Sequence, residues 1–546
     1  MGTRSKASVA GVAGAAVAFG IVELVHGIYQ GVPSVFLALA QTIIKLTPGG
    51  FATKAIETLG KADVPILVVS LVIGTLVVAV LLANLGLRSP TAALVGVGAL
   101  GVIGVAASFT ETFVAPIPTV IVIAGALVAG SAVAYFLLAA EVQEKKPATY
   151  DAEKPDGMPR YGNVRSRESG SSGGIEIGRR GFLALGGGAT AVGLAAVGVG
   201  RLLGDGTQTA AAPKKLQALK ESSGSGAKKV VHKTLPPPPK SASIEVPGMP
   251  KLITPAKNFY LIDTELSSPM IDASSWKLSV KGAVDNPIEI SYKELMNMPT
   301  QEADITLSCV SNTVGGGLVS NGRWTGVLLS DVLKEAGVAP EKINKASEQL
   351  VGRSVDGWTA GFKTKLALDG REALVAFGLN GDQLPIKHGY PVRLVVPGLY
   401  GYVSATKWLS EIELTNWNFD AYWIQRTWAK KGPVKTESRI DTVKDGQKLS
   451  AGKKVPIGGV AWAPHRGISK VEVSTDDGKT WNNARLATQL DKNTWRQYVY
   501  NWEAKSGDHT LKVRATDGTG ATQTSKTSPP HPSGAAGYDT VNVTVS

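Results

Sequence analysis

Residues 1–140 hold only ten charged side chains: Arg4, Lys6, Glu23, Lys45, Lys54, Glu57, Lys61, Asp63, Arg88 and Glu111. Between them lie long apolar runs, and a run of about 20 such residues is what a helix needs to cross a bilayer. Four stretches qualify, at 7–29, 64–87, 91–109 and 113–140. The segment from Val32 to Leu46 is shorter and amphipathic, which fits an interfacial or re-entrant piece. Arg4 and Lys6 precede the first run, Arg88 falls between the second and third, and Glu111 between the third and fourth. By the positive-inside rule the N-terminus is then cytoplasmic. No Trp marks an interface, because all 11 lie at or beyond Trp276.

A polar segment follows, 141–180, with eight Lys/Arg and seven Asp/Glu among Gly, Ser and Pro. Its composition is that of a cytoplasmic linker. It ends in Arg179-Arg180, and the next 20 residues, Gly181–Gly200, are uncharged and include seven Gly. This is a fifth span, 181–203, of low hydrophobicity. Twin arginines before such a stretch resemble a twin-arginine export signal placed inside the chain. The plainer alternative is an ordinary positive-inside anchor. Four spans bring the chain back to the cytoplasmic side and the fifth takes it out again. The sequence therefore predicts a multi-pass membrane protein whose C-terminal part is extracytoplasmic.

Glu23 and His26 are three residues apart, so they share a helix face. An ionisable pair within a span is a functional candidate. The competing expectation places both near a wet end of the span. His26 is the only histidine in the membrane region, so a b-type haem held by two histidines of these spans is excluded within one chain.

Residues 204–250 read as a flexible linker of Lys, Ala, Gly, Ser and Pro, stiffened at Pro236–Pro239. From 251 to 425 the pattern is that of an α+β domain. Trp276–Gly282 reads as a strand, Ser291 as the N-cap of a short helix, Val327–Gly337 as a helix with a glycine stop, and Tyr390–Pro397 as a buried strand. Residues 426–546 alternate apolar and polar over 455–462, 468–474, 495–502, 509–515 and 538–545, with turn signals between. About seven strands of this kind predict an immunoglobulin-like β-sandwich. The fold class is thus multi-domain: a five-span α-helical bundle, an α+β domain and a β-sandwich.

The single cysteine, Cys309, excludes intramolecular disulfides and Cys-rich metal sites. The net charge of +13 brings no basic cluster interleaved with aromatics, so it predicts anionic ligands and not nucleic acid. A lone Cys after an apolar run reads as a small buried hydrophobe, a nucleophile or a soft-metal ligand. His388 is the only histidine that the α+β domain offers as a base. Lys387, Arg393 and Lys407 stand near it in the sequence, a cationic set suited to a phosphate.

Three ordered motifs then resemble the sulfite oxidase family of molybdenum enzymes. They are Cys309 within Thr306-Leu-Ser-Cys-Val-Ser-Asn312, the run His388-Gly-Tyr-Pro-Val-Arg-Leu-Val-Val-Pro-Gly398, and Tyr400-Gly-Tyr-Val-Ser-Ala-Thr-Lys-Trp-Leu409. The tail resembles that family's immunoglobulin-like dimerisation domain, and the front end its membrane-anchored actinobacterial branch. The resemblance implies a molybdenum–molybdopterin cofactor with Cys309 as thiolate ligand to the metal. It implies pterin or phosphate contacts from Asn258, Tyr260, Asp356, His388, Arg393, Ser404, Thr406 and Lys407. Where animal and plant members carry an arginine shortly after the cysteine, this chain has Thr313, so a sulfite-like oxyanion loses its expected partner. No fused haem domain is present in the sequence, so electrons pass to or from a separate cytochrome or quinone-linked protein. The expected activity is two-electron oxo transfer on a small oxyanion, sulfoxide or N-oxide. The alternative is a non-catalytic anchored module on a degenerate cofactor fold.

Overall fold

A computed structural model describes residues 2–29, 31–47, 51, 63–111, 114–143, 176–210 and 232–546. The chain divides into two compact units, one holding the apolar helices and the other the described residues from His232 to Ser546.

The first unit contains α1 (Thr3–Ile28), α2 (Val35–Leu46), α3 (Asp63–Gly86), α4 (Pro90–Ser108), α5 (Pro116–Ala139) and α6 (Arg179–Ala210). All but α2 are long and apolar enough to cross a membrane. They match the five expected spans. The apolar side chains of α3 and α4 point outward, as at Val69, Leu81, Val95 and Val102, which suits a lipid environment.

Small residues bring α1 against its neighbours. A Cβ on Gly20 would lie 2.6 Å from the Gly193 carbonyl oxygen, and one on Gly27 only 2.1 Å from that of Gly200. Only glycine permits this approach of α1 to α6, as in small-residue membrane interfaces. Glu23 is 3% exposed and accepts a 2.5 Å hydrogen bond from Ser34 Oγ. Ser34 is also the N-cap of α2. His26 Nδ1 donates to the Val32 carbonyl at 2.8 Å. The expected wet end is thus corrected for Glu23: its carboxyl is buried and ties α1 to the turn that starts α2.

Residues 144–175, most of the expected cytoplasmic linker, lie outside the described residues, as do 211–231 of the second linker. From His232 onward that second linker is tied to the domain that follows. His232–Lys233 pairs as a parallel strand with Thr300–Gln301. Ala242 and Ile244 are buried, and Ile244 N donates to Gln497 Oε1 at 2.6 Å. Pro236–Pro239 stay exposed, and the run is held at its start, where the carbonyls of Leu235 and Pro236 accept from Arg323.

The α+β domain is built on two sheets. The first has the order 382–383, 374–379, 319–328, 300–308, 232–233, with Arg393–Val395 also pairing with Leu374–Leu379. The second has the order 288–291, 277–282, 409–415, 349–354, 359–363. Ser291 caps Tyr292–Met296 in a reciprocal box with Glu294, as expected. The helix expected over 327–337 is shorter, Leu329–Glu335. Val327 and Leu328 belong to the preceding strand, where they pair with Thr300 and Leu374.

The C-terminal domain is a β-sandwich of a four-stranded and a five-stranded sheet. It has nine strands where about seven were expected; two of them, 482–483 and 485–486, are only two residues long. The alternation expected from the sequence is the burial pattern observed. Val541, Val543 and Val545 are buried while their neighbours face out.

Candidate active site

Cys309 follows the strand Thr300–Ser308 and opens a loop that returns at Leu318 into the strand Val319–Leu328. Cys309 N donates to Leu318 O at 2.9 Å, and Leu318 N to Asn312 Oδ1 at 2.7 Å. The turn requires Gly315, whose φ is +71° and whose missing side chain leaves room for Asp539 of the sandwich. The loop therefore has a fixed shape, closed by its own hydrogen bonds. Burial pushes the Cys309 thiol up, while hydrogen bonds from the Ser311 N–H and hydroxyl pull it back toward the thiolate.

Cys309 borders a cavity whose lining includes Tyr260, Asp263, Asp356, His388, Arg393 and Lys407. Arg393 leaves its short strand into the interior. Its guanidinium lies 5.1 Å above the Trp324 ring, and Nη1 donates to His388 O at 3.0 Å. Burial pulls its pKa down to about 10 against the opposing pull of Tyr260 and Asp263. His388 Nε2 donates to Ala256 O at 3.2 Å. Burial, then the charges of Arg393 and Lys407, push the imidazole down to about 4, so it is neutral at pH 7 with its proton on Nε2. Lys407 pairs with Asp263 and donates to Lys387 O at 2.9 Å. Burial lifts Asp263 to about 6, opposed chiefly by Lys407. Burial likewise pushes the Tyr260 phenol up, so it stays protonated.

Six of the nine residues singled out in the sequence meet here: Tyr260, Cys309, Asp356, His388, Arg393 and Lys407. Three are placed elsewhere. Asn258 is exposed in the turn Ala256–Asn258. Ser404 is buried with its hydroxyl on Tyr400 O at 3.0 Å, and Thr406 is buried with its hydroxyl 3.4 Å from Gly352 O. The backbone takes both hydroxyls, and neither residue lines the cavity. Sequence reasoning missed Asp263 and the aromatic wall of Tyr402, Trp358, Trp408, Trp423 and Trp428. Tyr402 and Trp408 lie within the Tyr400–Leu409 motif and Trp358 is two residues from Asp356, so these could have been found; Trp423 and Trp428 lie outside the motifs.

The cavity has the chemistry of a site for an anionic, metal-bearing group. A buried guanidinium, a half-buried ammonium and a neutral imidazole line the same cavity as a single sulfur. A guanidinium so deeply buried that its own charge is disfavoured gains when an anion joins it. A soft thiolate suits a soft metal centre.

Comparison with known proteins agrees. Residues 265–423 match the oxidoreductase molybdopterin binding domain, and residues 430–527 the Mo-co oxidoreductase dimerisation domain. Human mitochondrial sulfite oxidase is 28% identical over 296 residues, covering 46% of this chain and 53% of the relative. A Brassica napus nitrate reductase is 26% identical over 307 residues, covering 46% of this chain and 34% of the relative. The sulfane dehydrogenase SoxCD of Paracoccus pantotrophus superposes with a TM-score of 0.43 at 23% identity, covering 52% of this chain and 77% of that one. The chain spans about half the length of the human relative. The fold and site define a molybdopterin-binding oxidoreductase with a dimerisation domain. The matched domain is one that binds molybdopterin, which implies a molybdenum–molybdopterin cofactor, and the relatives that share it include sulfite oxidases.

Proposed function

We propose that this chain is a membrane-anchored oxidoreductase that carries out two-electron oxo transfer on a small oxyanion, sulfoxide or N-oxide outside the cytoplasmic membrane. The convergence of Cys309, His388, Arg393 and Lys407 on one cavity carries this reading. When bound, molybdenum–molybdopterin supplies oxygen-atom transfer coupled to two electrons.

Cys309 would supply the thiolate to the metal. Arg393 and Lys407 would hold the phosphate, and Lys407 would exchange part of its pairing with Asp263 for that anion. His388 would present Nδ1 as an acceptor, because Nε2 keeps its proton against Ala256 O. Tyr260 would remain a protonated hydroxyl beside the cofactor. The surrounding indoles would exclude water. Electrons would come from or go to a separate carrier, and the sandwich would join two copies of the chain.

Five apolar helices support membrane anchoring. The charge pattern supports an extracytoplasmic catalytic domain, and Arg179 and Arg180, exposed at the start of α6, support an internal export signal of the twin-arginine type. The test is metal analysis of the purified full-length protein. Molybdenum close to one per chain is expected. Folded protein from a molybdenum-replete host that holds no molybdenum would overturn the enzyme and favour a binding module.

A further inference from the structure

We propose that His531, from the β-sandwich, is a positioning residue of the active site: it holds the turn at Thr427 and thereby sets the Trp428 indole, whose N–H meets an oxygen atom of the molecule bound in the cavity. This deepens the preceding reading and rests on it for the oxygen-bearing ligand.

Trp428 is 8% exposed and borders the cavity. Its Nε1 is buried and has no hydrogen-bond partner among the described residues. Trp358 Nε1 is in the same condition, whereas Trp408, on the same wall, donates to Ile386 O at 2.9 Å. A buried donor left unpaired is destabilising. Because the Trp428 ring borders the cavity, a bound molecule can supply the missing acceptor, and the oxygen of an S–O or N–O bond or of an oxyanion is such an acceptor.

The turn that sets this ring is strained. Thr427 has φ +71°, a left-handed conformation that a β-branched residue rarely adopts. It follows the short turn Ile424–Arg426 and immediately precedes Trp428. Thr427 is exposed, so packing does not hold it there. His531 does. Its Nε2 lies 3.1 Å from Thr427 O and 3.1 Å from Thr427 Oγ1. The carbonyl can only accept, and the hydroxyl proton goes to Arg426 O at 2.6 Å. Nε2 therefore carries a proton and donates to both oxygens. The His531 ring also meets Trp428 edge to face, with centroids 5.2 Å apart. On the other side of the indole, Ala429 N donates to Pro532 O at 2.9 Å. Both chain neighbours of Trp428 are thus tied to two consecutive residues of the sandwich.

The arm that carries those two residues is itself fixed. It belongs to the connection between the strands Gly507–Asp517 and Asp539–Val545. Ser528 and Ala536 exchange both backbone hydrogen bonds, and Gly534 N donates to Pro530 O. Gly534 lies so near Tyr400 that a Cβ there would stand 2.6 Å from the phenol oxygen. Lys435 donates to the Gly534 carbonyl. The sandwich therefore reaches the cavity wall by a route separate from the loop of Cys309.

The test uses full-length protein with its molybdenum content measured. Calorimetry follows two probes that present an oxygen acceptor, sulfate and dimethyl sulfoxide. Trp428→Phe should weaken the probe that binds by about tenfold, the scale of one lost hydrogen bond. His531→Phe keeps a ring and loses the donor, and should weaken binding as much. His531→Gln keeps a donor and should stay within about twofold of the parent, because the bond to Thr427 survives. Glycine adopts the left-handed turn unaided, so Thr427→Gly added to His531→Phe should restore binding. A merely structural His531 would lower Tm in both of its variants with no such rescue. Parent-like affinity in Trp428→Phe or in His531→Phe would overturn the proposal. So would equal weakening by both His531 variants without rescue by Thr427→Gly, or loaded parent protein that binds neither probe. Those results leave the molybdenum reading standing, whereas metal-free protein overturns both.

Discussion

Arg439 of the β-sandwich donates from Nη1 to the Gly316 carbonyl at 2.8 Å, within the loop that begins at Cys309. The same guanidinium donates from Nε to Asp441 Oδ1 at 2.8 Å, and both partners of that ion pair are 12% exposed. The second domain therefore braces the loop that presents the sulfur. Arg439→Ala should remove a charge-assisted hydrogen bond worth about 1.5–3 kcal/mol and leave Asp441 buried without its cation. The variant should fold, melt several degrees lower and retain less molybdenum. Calorimetry and metal analysis of one preparation check this. A lower Tm with full molybdenum content would make the brace purely structural.

Cys309→Ser replaces the sulfur and leaves Arg393, His388 and Lys407 in place. Pterin should remain detectable by fluorescence after acid extraction, while molybdenum and turnover are lost. Unchanged turnover would remove Cys309 from the metal.

Arg393→Ala leaves the cofactor's anion without a buried guanidinium. Truncating one partner of a buried charge pair costs about 2–5 kcal/mol, including the penalty on the charge left behind. The ratio of pterin to protein after purification should fall clearly. Full occupancy would place the phosphate elsewhere in the cavity.

His388 makes cofactor-free stability depend on pH. Its folded pKa, about 4, lies below the ordinary imidazole value of 6.5. The folded state therefore binds the proton more weakly than the unfolded state. The stability this contributes is complete above pH 6.5 and is lost as pH falls through 4. The full span amounts to about 3 kcal/mol, at 1.36 kcal/mol per pKa unit. Urea midpoints of the cofactor-free protein should fall between pH 7 and pH 4, and His388→Gln should flatten that slope. A bound phosphate should flatten it too, because a nearby anion lifts the imidazole's pKa back toward its ordinary value. Equal slopes for His388→Gln and the parent protein would contradict this.

Much of the architecture was legible because it obeys simple periods. Val541, Val543 and Val545 alternate with polar neighbours, so the sandwich could be read strand by strand. The misread segments obey other physics. Val327 and Leu328 sit in a strand buried on both faces, where an unbroken apolar run looks the same as a helix start. Residues 232–250 have a linker's composition, yet the carbonyls of Leu235 and Pro236 and the Leu235 N–H find partners in Arg323 and Glu302, on strands the sequence does not show to be near. In the site, Cys309, His388 and Arg393 were legible through local motifs. Asp263 was not, because its approach to Lys407 spans more than a hundred residues and is not marked by any local motif.

Arg179 and Arg180 stand at the first turn of α6, both exposed, ahead of a helix that is long enough to span. Two readings of this pair predict different outcomes. As an anchor, the pair acts through charge, and lysine serves equally well. As an export address, it is read by a receptor that charge alone does not satisfy. Arg179→Lys with Arg180→Lys keeps two positive charges and so separates the readings. We expect the double variant to retain residues 232–546 on the cytoplasmic side, where added protease cannot reach them in spheroplasts, while the parent protein is digested. Equal digestion of the two would leave an ordinary anchor. Protection would also place folding and cofactor loading before translocation, because this export route carries folded domains. Molybdenum should then be found in the retained variant.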